Sequence, residues 1–218
     1  MSAMADKIMK RVRAKGRGWV FTPKHFIDFG TRGSVDMALS RLAQAGEVRR
    51  VGRGLYDYPK LHHKLGALTP DAEMIALAVS AQSGDQLAPS AATAANGLGL
   101  SAQIPAKPSY ATTGQTRVRV AAGRSVALKH SRAPVLGNAS ETANGVVQLL
   151  ASLGRNKVDA DAIAHLSDRL DNKDMQALLK GRPVMPGWMG DVVLRLNAHR
   201  RGAIDAIRGG KNPPEGLS

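Results

Sequence analysis

The sequence predicts an α+β protein: an N-terminal winged helix-turn-helix, followed by a mixed domain with a small antiparallel sheet and a helical C-terminal part. Three observations support this fold class. Two short helical patterns meet at Gly30, and a hairpin pattern follows around Gly52-Arg53-Gly54. Alternating strand patterns then occupy residues 109–130, and amphipathic helical patterns fill most of the chain after residue 140.

The charge of the chain is strongly basic and unevenly distributed. The 218 residues carry a formal net charge of +14, and the isoelectric point is about 10.6. Residues 1–60 hold 13 Lys and Arg against 5 Asp and Glu, a net of +8, whereas residues 61–218 hold 18 against 12, a net of +6. Because this balance favours a polyanionic partner, the first 60 residues are the candidate nucleic-acid module.

Several classes of function are disfavoured by composition. The chain has no cysteine, which excludes disulfides and cysteine-ligated zinc and fits a cytoplasmic location. No apolar run approaches the roughly 20 residues that span a bilayer, so we expect no membrane partner. The pair His62-His63 lacks further ligands at a suitable spacing, and the aspartates at helix starts are explained as caps. We therefore expect no metal, no cofactor, no catalytic residue and no enzymatic activity.

The helices of the first module are predicted from apolar spacing. In residues 3–15 the apolar side chains recur every three to four positions. Thr22-Pro23 begins the next helix, with Phe26, Ile27 and Phe29 on its apolar face, and Gly30 ends it. Thr31 caps the third helix, whose expected core face consists of Val35, Ala38, Leu39 and Leu42.

The opposite face of the third helix is small and polar, which suits close approach to a major groove. The expected contacts to base edges are Arg32, Ser34, Ser40, Arg41 and Gln44. Thr22, Lys24 and Thr31 are expected to hold phosphates at helix N-termini, and the wing is expected to present Arg49, Arg50 and Arg53. The alternatives are an ordinary surface helix and a solvated hairpin whose arginines serve solubility.

The remaining chain is divided into a linker at residues 61–69, an α+β domain at 70–208 and a flexible tail at 209–218. Helices are expected at 69–83 and 90–96. In the strands of residues 116–130, Arg117, Arg119, Arg124 and Lys129 alternate with Val118, Val120, Val126 and Leu128. This alternation predicts one basic and one apolar face, and a half-exposed sheet is favoured over a second nucleic-acid surface. Helices are expected at 140–153, 159–170, 174–180 and from 189 onward.

Four stretches of the chain carry a resemblance to a known family. They are Phe-Thr-Pro (21–23) through Ala-Leu-Ser-Arg-Leu (38–42) with Val-Gly-Arg-Gly-Leu-Tyr (51–56); Pro-Ser-Ala-Ala-Thr-Ala-Ala-Asn (89–96) with Leu-Gly-Leu (98–100); Tyr-Ala-Thr-Thr-Gly (110–114) leading to Arg-Ser-Val-Ala-Leu-Lys-His (124–130); and Trp-Met (188–189) with Asp-Val-Val (191–193). In this order they resemble the AbiEi-like antitoxins of bacterial type IV toxin–antitoxin systems.

The resemblance implies a function for each part of the chain. The N-terminal winged helix would bind double-stranded operator DNA, as a monomer or a weak dimer on repeats, and repress its own operon. The domain at 70–208 would counteract a nucleotidyltransferase-like toxin, directly or indirectly. The alternatives are a DNA-targeted nuclease or nucleotide-modifying enzyme, a stand-alone transcriptional regulator, and an adaptor that docks a partner protein.

Overall fold

The computed structural model describes residues 3–103 and 108–209, with the backbone alone for residues 205–209. The chain divides into two compact units: Met1–Leu87 with Ala106–His130, and Ala88–Pro105 with Ser131–Ser218. The mixed α+β class is therefore built from two units that interleave along the sequence. Of the predicted tail, Gly209 ends the last helix, and residues 210–218 lie outside the described residues.

The first unit begins with three helical segments and three short strands. These are α1 (Ala3–Lys15), β1 (Val20–Phe21), a 3₁₀ helix (Pro23–Phe29), α2 (Arg32–Gln44), β2 (Arg49–Gly52) and β3 (Leu55–Asp57). The strands form an antiparallel sheet in the order β1-β3-β2. The segment predicted as the second helix is a 3₁₀ helix, and Ile27, expected in the core, is exposed.

Both faces of this sheet are covered by apolar side chains. Phe21, Val48 and Tyr56 pack with α1, the 3₁₀ helix and α2. Val20, Val51 and Leu55 pack into a second cluster with Ile75, Val79, Val126 and Leu128. Because neighbouring strand residues point to opposite faces, Val20 and Phe21, like Leu55 and Tyr56, enter different clusters. The sheet thus lies between two apolar cores of the first unit and contributes side chains to both.

The first unit continues well past residue 60. It includes the hairpin of β4 (Leu61–His62) and β5 (Gly66–Ala67), the helix α3 (Ala72–Ser83) and the strands β7 (Ser109–Thr112), β8 (Arg117–Ala121) and β9 (Arg124–His130). The segment predicted as a linker at 61–69 therefore holds a paired hairpin, with backbone bonding between Leu61 and Ala67. Helix α3 and the three strands agree with the sequence prediction.

The second sheet has the order β6-β7-β9-β8, where β6 (Leu87–Pro89) is the strand through which the chain leaves the first unit. Strands β8 and β9 pair antiparallel as predicted. Strand β7 runs parallel to β9, so the sheet is mixed. Strand β8 lies at the edge of this sheet, which leaves one side of its backbone without a partner strand within that sheet.

The second unit is helical, as the periodicity predicts. It contains α4 (Ala91–Gly97), α5 (Glu141–Leu153), α6 (Ala160–Arg169), α7 (Asn172–Gly181) and α8 (Gly187–Gly209). Gly145 of α5 lies against Ala94 of α4, where an added Cβ would approach the alanine methyl to 3.1 Å. The buried amide of Asn144 accepts from the N–H of Leu136 at 2.7 Å and donates to its carbonyl at 3.0 Å. In the described part of the chain, no helix is long and apolar enough to cross a bilayer.

The two-sided packing of the first sheet predicts unequal effects of two leucine truncations in the full-length chain. Leu55 is 2% exposed and Leu61 is 62% exposed. Leu55→Ala should lower the free energy of unfolding by about 2–5 kcal/mol, because it opens a cavity between the sheet and α3. Leu61→Ala is the control and should change it by less than about 0.5 kcal/mol. Urea denaturation followed by circular dichroism measures both changes. Equal small effects would contradict the packing of the first sheet on both faces.

Candidate nucleic-acid interface

Helix α2 presents one buried and one exposed face, as its sequence predicts. Val35, Ala38, Leu39 and Leu42 are buried. The outer face is exposed throughout and consists of Arg32, Gly33, Ser34, Met37, Ser40, Arg41 and Gln44. Apart from Met37, this face carries only small or hydrogen-bonding side chains, so a polar ligand surface can approach the helix closely.

The N-terminus of α2 is held by a local cap. The hydroxyl of Thr31 accepts from the N–H of Ser34 at 3.3 Å, and the hydroxyl of Ser34 donates to the carbonyl of Thr31 at 2.8 Å. Nε of Arg32 donates to both carboxylate oxygens of Asp36, at 3.0 and 2.9 Å. Since both partners of this pair are exposed, it contributes little to stability and Arg32 remains free to exchange its partner.

An arginine of α1 fixes the 3₁₀ helix beside α2. Arg11 donates two hydrogen bonds to the carboxylate of Asp28, at 2.8 and 2.7 Å, and a third to the carbonyl of His25. Its guanidinium lies 4.0 Å from the ring centroid of Phe29. Hydrogen bonding to Arg11 holds the pKa of Asp28 below its ordinary value. Arg11 thus joins α1 to the 3₁₀ helix, and both segments pack with α2 in one apolar cluster.

The structure corrects the role expected for Thr22. This residue is completely buried, and its N–H donates to Nδ1 of His25 at 3.1 Å. Burial lowers the pKa of His25, which suits the neutral ring that this acceptor role requires. Thr22 starts the 3₁₀ helix inside the core, so its side chain is not available to a phosphate. Lys24, two residues later, is exposed.

Arg49 is also corrected, from a wing residue to a structural one. It pairs across the strands with Asp57, at 3.0 Å from Nε and 2.6 Å from Nη2, and Nη2 also donates to the carbonyl of Leu68 at 2.7 Å. The Asp57 side chain is 1% exposed, and hydrogen bonding to it raises the pKa of Arg49. A buried carboxylate needs such a partner, so Arg49 is committed to the fold.

The hairpin keeps its two other arginines exposed. The side chains of Arg50, in β2, and Arg53, at the tip, have no hydrogen-bond or ion-pair partner among residues 3–103 and 108–209. Gly54 adopts a φ of +67°, a left-handed conformation that glycine takes without strain and that closes the turn between β2 and β3. The tip is fixed to the second sheet, because the N–H of Ala122 donates to the carbonyl of Val51 at 2.9 Å.

A basic cleft of about 500 Å³ lies between the hairpin tip, α3 and β8; we refer to it as the wing cleft. It is lined by Arg53, Arg117 and Arg119, by the polar side chains Gln82 and Ser83, and by apolar residues that include Leu55. Arg117 is held by Asp85 at 2.6 Å and by the hydroxyl of Ser83 at 2.7 Å. Arg119 is exposed and, within the described ranges, its side chain has no hydrogen-bond or ion-pair partner.

Asp85, which holds Arg117 in the wing cleft, is also influenced by Lys24 of the 3₁₀ helix. Hydrogen bonds from Ser83 and then from Arg117 hold the pKa of Asp85 below its ordinary value, and the charge of Lys24 lowers it further. Arg117 and Asp85 therefore neutralise each other, whereas Arg53 and Arg119 contribute uncompensated charge. The alternation of arginine and valine at 117–120 pointed to Arg119, but the sequence favoured a half-exposed sheet there and did not place Arg119 among the expected contacts.

The faces of β8 differ from the prediction. Arg117 and Arg119 stand opposite Leu128 and Val126 in the register with β9, so they lie on the face that packs on α3. Val118 and Val120, expected to be inward, are 59% and 62% exposed. The sheet register decides the side to which each residue of an edge strand points, and the alternation alone leaves that choice open.

In the described ranges, no group of three or more histidine, aspartate or glutamate side chains is placed to hold a metal ion.

Of the eleven expected contact residues, nine are exposed: Lys24, Thr31, Arg32, Ser34, Ser40, Arg41, Gln44, Arg50 and Arg53. Only Thr22 and Arg49 are committed to the fold, and Arg119 joins the exposed set.

The opposite roles of two adjacent arginines are testable. Arg49→Ala should lower the free energy of unfolding by about 3 kcal/mol or more, because it leaves the carboxylate of Asp57 buried without its partner. Arg50→Ala removes the same charge from the neighbouring exposed position and should leave stability within about 0.5 kcal/mol of the parent. Thermal and urea unfolding of the two variants decide the question, and an unaffected Arg49→Ala protein would refute the structural role.

Comparison with known proteins places this chain in a family. The model of the family DUF6088, described as a family of unknown function, matches residues 7–178. No curated protein matches the chain significantly. No solved structure matches it either. Since the matched stretch covers most of the sequence and includes both α2 and the wing cleft, the chain belongs to the DUF6088 family.

Proposed function

We propose that this chain is a DNA-binding antitoxin that represses its own operon, with a winged helix-turn-helix in its first unit. The order helix, strand, helix, helix and two strands supports this proposal, because it matches the order of that motif. The observation that carries the proposal is the exposed polar face of α2 beside a hairpin in which the side chains of Arg50 and Arg53 have no partner in the described part of the chain.

In this proposal α2 enters the major groove with its outer face towards the bases. Ser40, Arg41 and Gln44 provide the donors and acceptors that recognise base edges. Arg32 exchanges Asp36 for a base or phosphate, since an exposed ion pair in water offers little resistance. Phosphates flanking the groove meet Lys24 and the amide groups at the N-terminus of α2.

The path of the DNA backbone continues from the wing into the wing cleft. Arg53 belongs to both features, because it stands at the hairpin tip and lines the cleft with Arg119. The bond between Ala122 and Val51 keeps the tip beside β8. A phosphate that reaches Arg53 therefore comes close to Arg119, and we assign Arg119 to the proposed interface in place of Arg49.

Substitution of these arginines should change both affinity and its dependence on salt. Arg53→Ala and Arg119→Ala should each weaken binding to the DNA upstream of the gene and reduce the slope of log K against log salt by about 1, because each loses one phosphate contact. Arg124→Ala is the matched control, since Arg124 is exposed on the same β8–β9 hairpin but does not line the cleft. Fluorescence anisotropy titrations at several salt concentrations measure the slopes.

Equal losses in all three variants would indicate unspecific attraction to the net charge of +14 and would contradict the assigned surface.

The antitoxin part of the proposal is supported by the resemblance of the four sequence stretches described above. We assign the activity against a nucleotidyltransferase-like toxin to the helical second unit, residues 88–105 and 131–218, which has its own apolar core. Such a division would allow operon repression and toxin neutralisation to be impaired separately. Neutralisation can be direct or act through the target of the toxin, and no enzymatic step by this chain is required.

Expression of the neighbouring gene tests this part. Its product alone should arrest growth, and co-expression of this chain should restore growth. The double variant Arg53→Ala, Arg119→Ala should restore growth as well as the parent does while losing repression of a reporter under the upstream promoter. A harmless neighbouring product, or arrest that the parent chain cannot relieve, would refute the antitoxin role while leaving DNA binding to be judged by the titrations.

A further inference from the structure

Met37 is the one large apolar side chain on the otherwise small and polar outer face of α2. It is 58% exposed. One turn before it stands Gly33, where an added Cβ would meet no atom within 4 Å. One turn after it stands Ser40. The helix surface beside Gly33 is therefore open.

The flanking polar groups do not cover this side chain. Ser34 is engaged with Thr31 in the helix cap, and Asp36 is engaged with Arg32. The core beneath the helix is closed by Val35 and Leu39, both fully buried. Met37 is therefore not a member of the apolar core beneath α2. A single exposed methionine is common on protein surfaces, but here it occupies the middle of the face proposed to enter the groove.

The major groove offers one apolar group to such a side chain. The C5-methyl of thymine is the only methyl that unmodified base pairs display there; the other edge positions are hydrogen-bond donors, acceptors or the small C5–H of cytosine. A methionine is flexible and polarisable, so it can follow a methyl without exact placement. The basic surface around it, with the net charge of +8 on residues 1–60, brings the helix to the duplex.

We propose that Met37 is a specificity-determining residue that recognises the methyl group of a thymine in the major groove. This inference rests on the proposed DNA binding and adds the chemical identity of one recognised base. The neighbouring Ser40, Arg41 and Gln44 would recognise polar edges of adjacent pairs, whereas Met37 distinguishes thymine from the bases that lack a methyl group.

Replacement of thymine by deoxyuridine tests the assignment, because it removes only the methyl group. In the DNA bound by the full chain, each thymine of the protected site is replaced in turn. For the parent protein, we expect one or two positions at which replacement weakens binding by about threefold to tenfold, the range expected for one buried methyl group.

The protein variants show whether Met37 makes that contact. Met37→Ala should weaken binding to the thymine duplex by a similar factor and show no further loss with deoxyuridine at that position. Met37→Leu, which keeps an apolar side chain, should retain the penalty. Leu77→Ala, a truncation of an exposed leucine on α3, is the control and should behave as the parent. Unfolding curves of the variants should coincide, since both side chains are exposed.

Two results would overturn the inference, and they differ from failure of the proposed function. If deoxyuridine costs nothing at any position, or if Met37→Ala keeps the full penalty, Met37 does not recognise a thymine although the protein binds DNA. If the parent protein shows no preference for its upstream DNA over a shuffled duplex, the proposed function fails and the inference fails with it.

Discussion

The sheet of β1, β3 and β2 is covered by apolar side chains on both faces, and the candidate site depends on that arrangement. Phe21 and Tyr56 pack in one cluster with α1, the 3₁₀ helix and α2. Val20, Val51 and Leu55 pack towards α3 and β9. A hairpin with one exposed face would be free to bend, whereas this one is held between two cores. The arginine at its tip consequently has a defined position relative to β8.

The same constraint explains why the basic hairpin contains a buried ion pair. Arg49 and Asp57 face each other in the register of β2 and β3, where Asp57 is removed from water by the packing around it. A carboxylate in that position is stable only with a close cation, so one arginine of the hairpin is used for folding. Arg50 and Arg53 keep exposed side chains, and these are the hairpin arginines that the proposed function assigns to DNA.

Local patterns predicted those features that depend on local geometry. The core face of α2 followed from helical spacing, and the strands of residues 109–130 followed from alternation and glycine turns. The errors arose where distant residues decide. Thr22 is buried and its N–H bonds to His25, the partner of Arg49 is on the neighbouring strand, and the register with β9 sets the faces of β8. Such pairings between distant residues are not visible in the sequence alone. For the same reason the sequence predicted a domain boundary at residue 60, whereas the apolar cluster beneath the hairpin includes Leu128.

The most direct measurement is the ratio of two affinities of the full chain at physiological salt: for the DNA upstream of its gene, and for a shuffled duplex of the same length and composition. A net charge of +14 attracts any duplex, so only the ratio reports base recognition. If α2 recognises bases, the upstream duplex should bind at least about 10³-fold more tightly. Equal affinities would show that the basic surface attracts DNA without recognising it and would contradict operator binding by this chain.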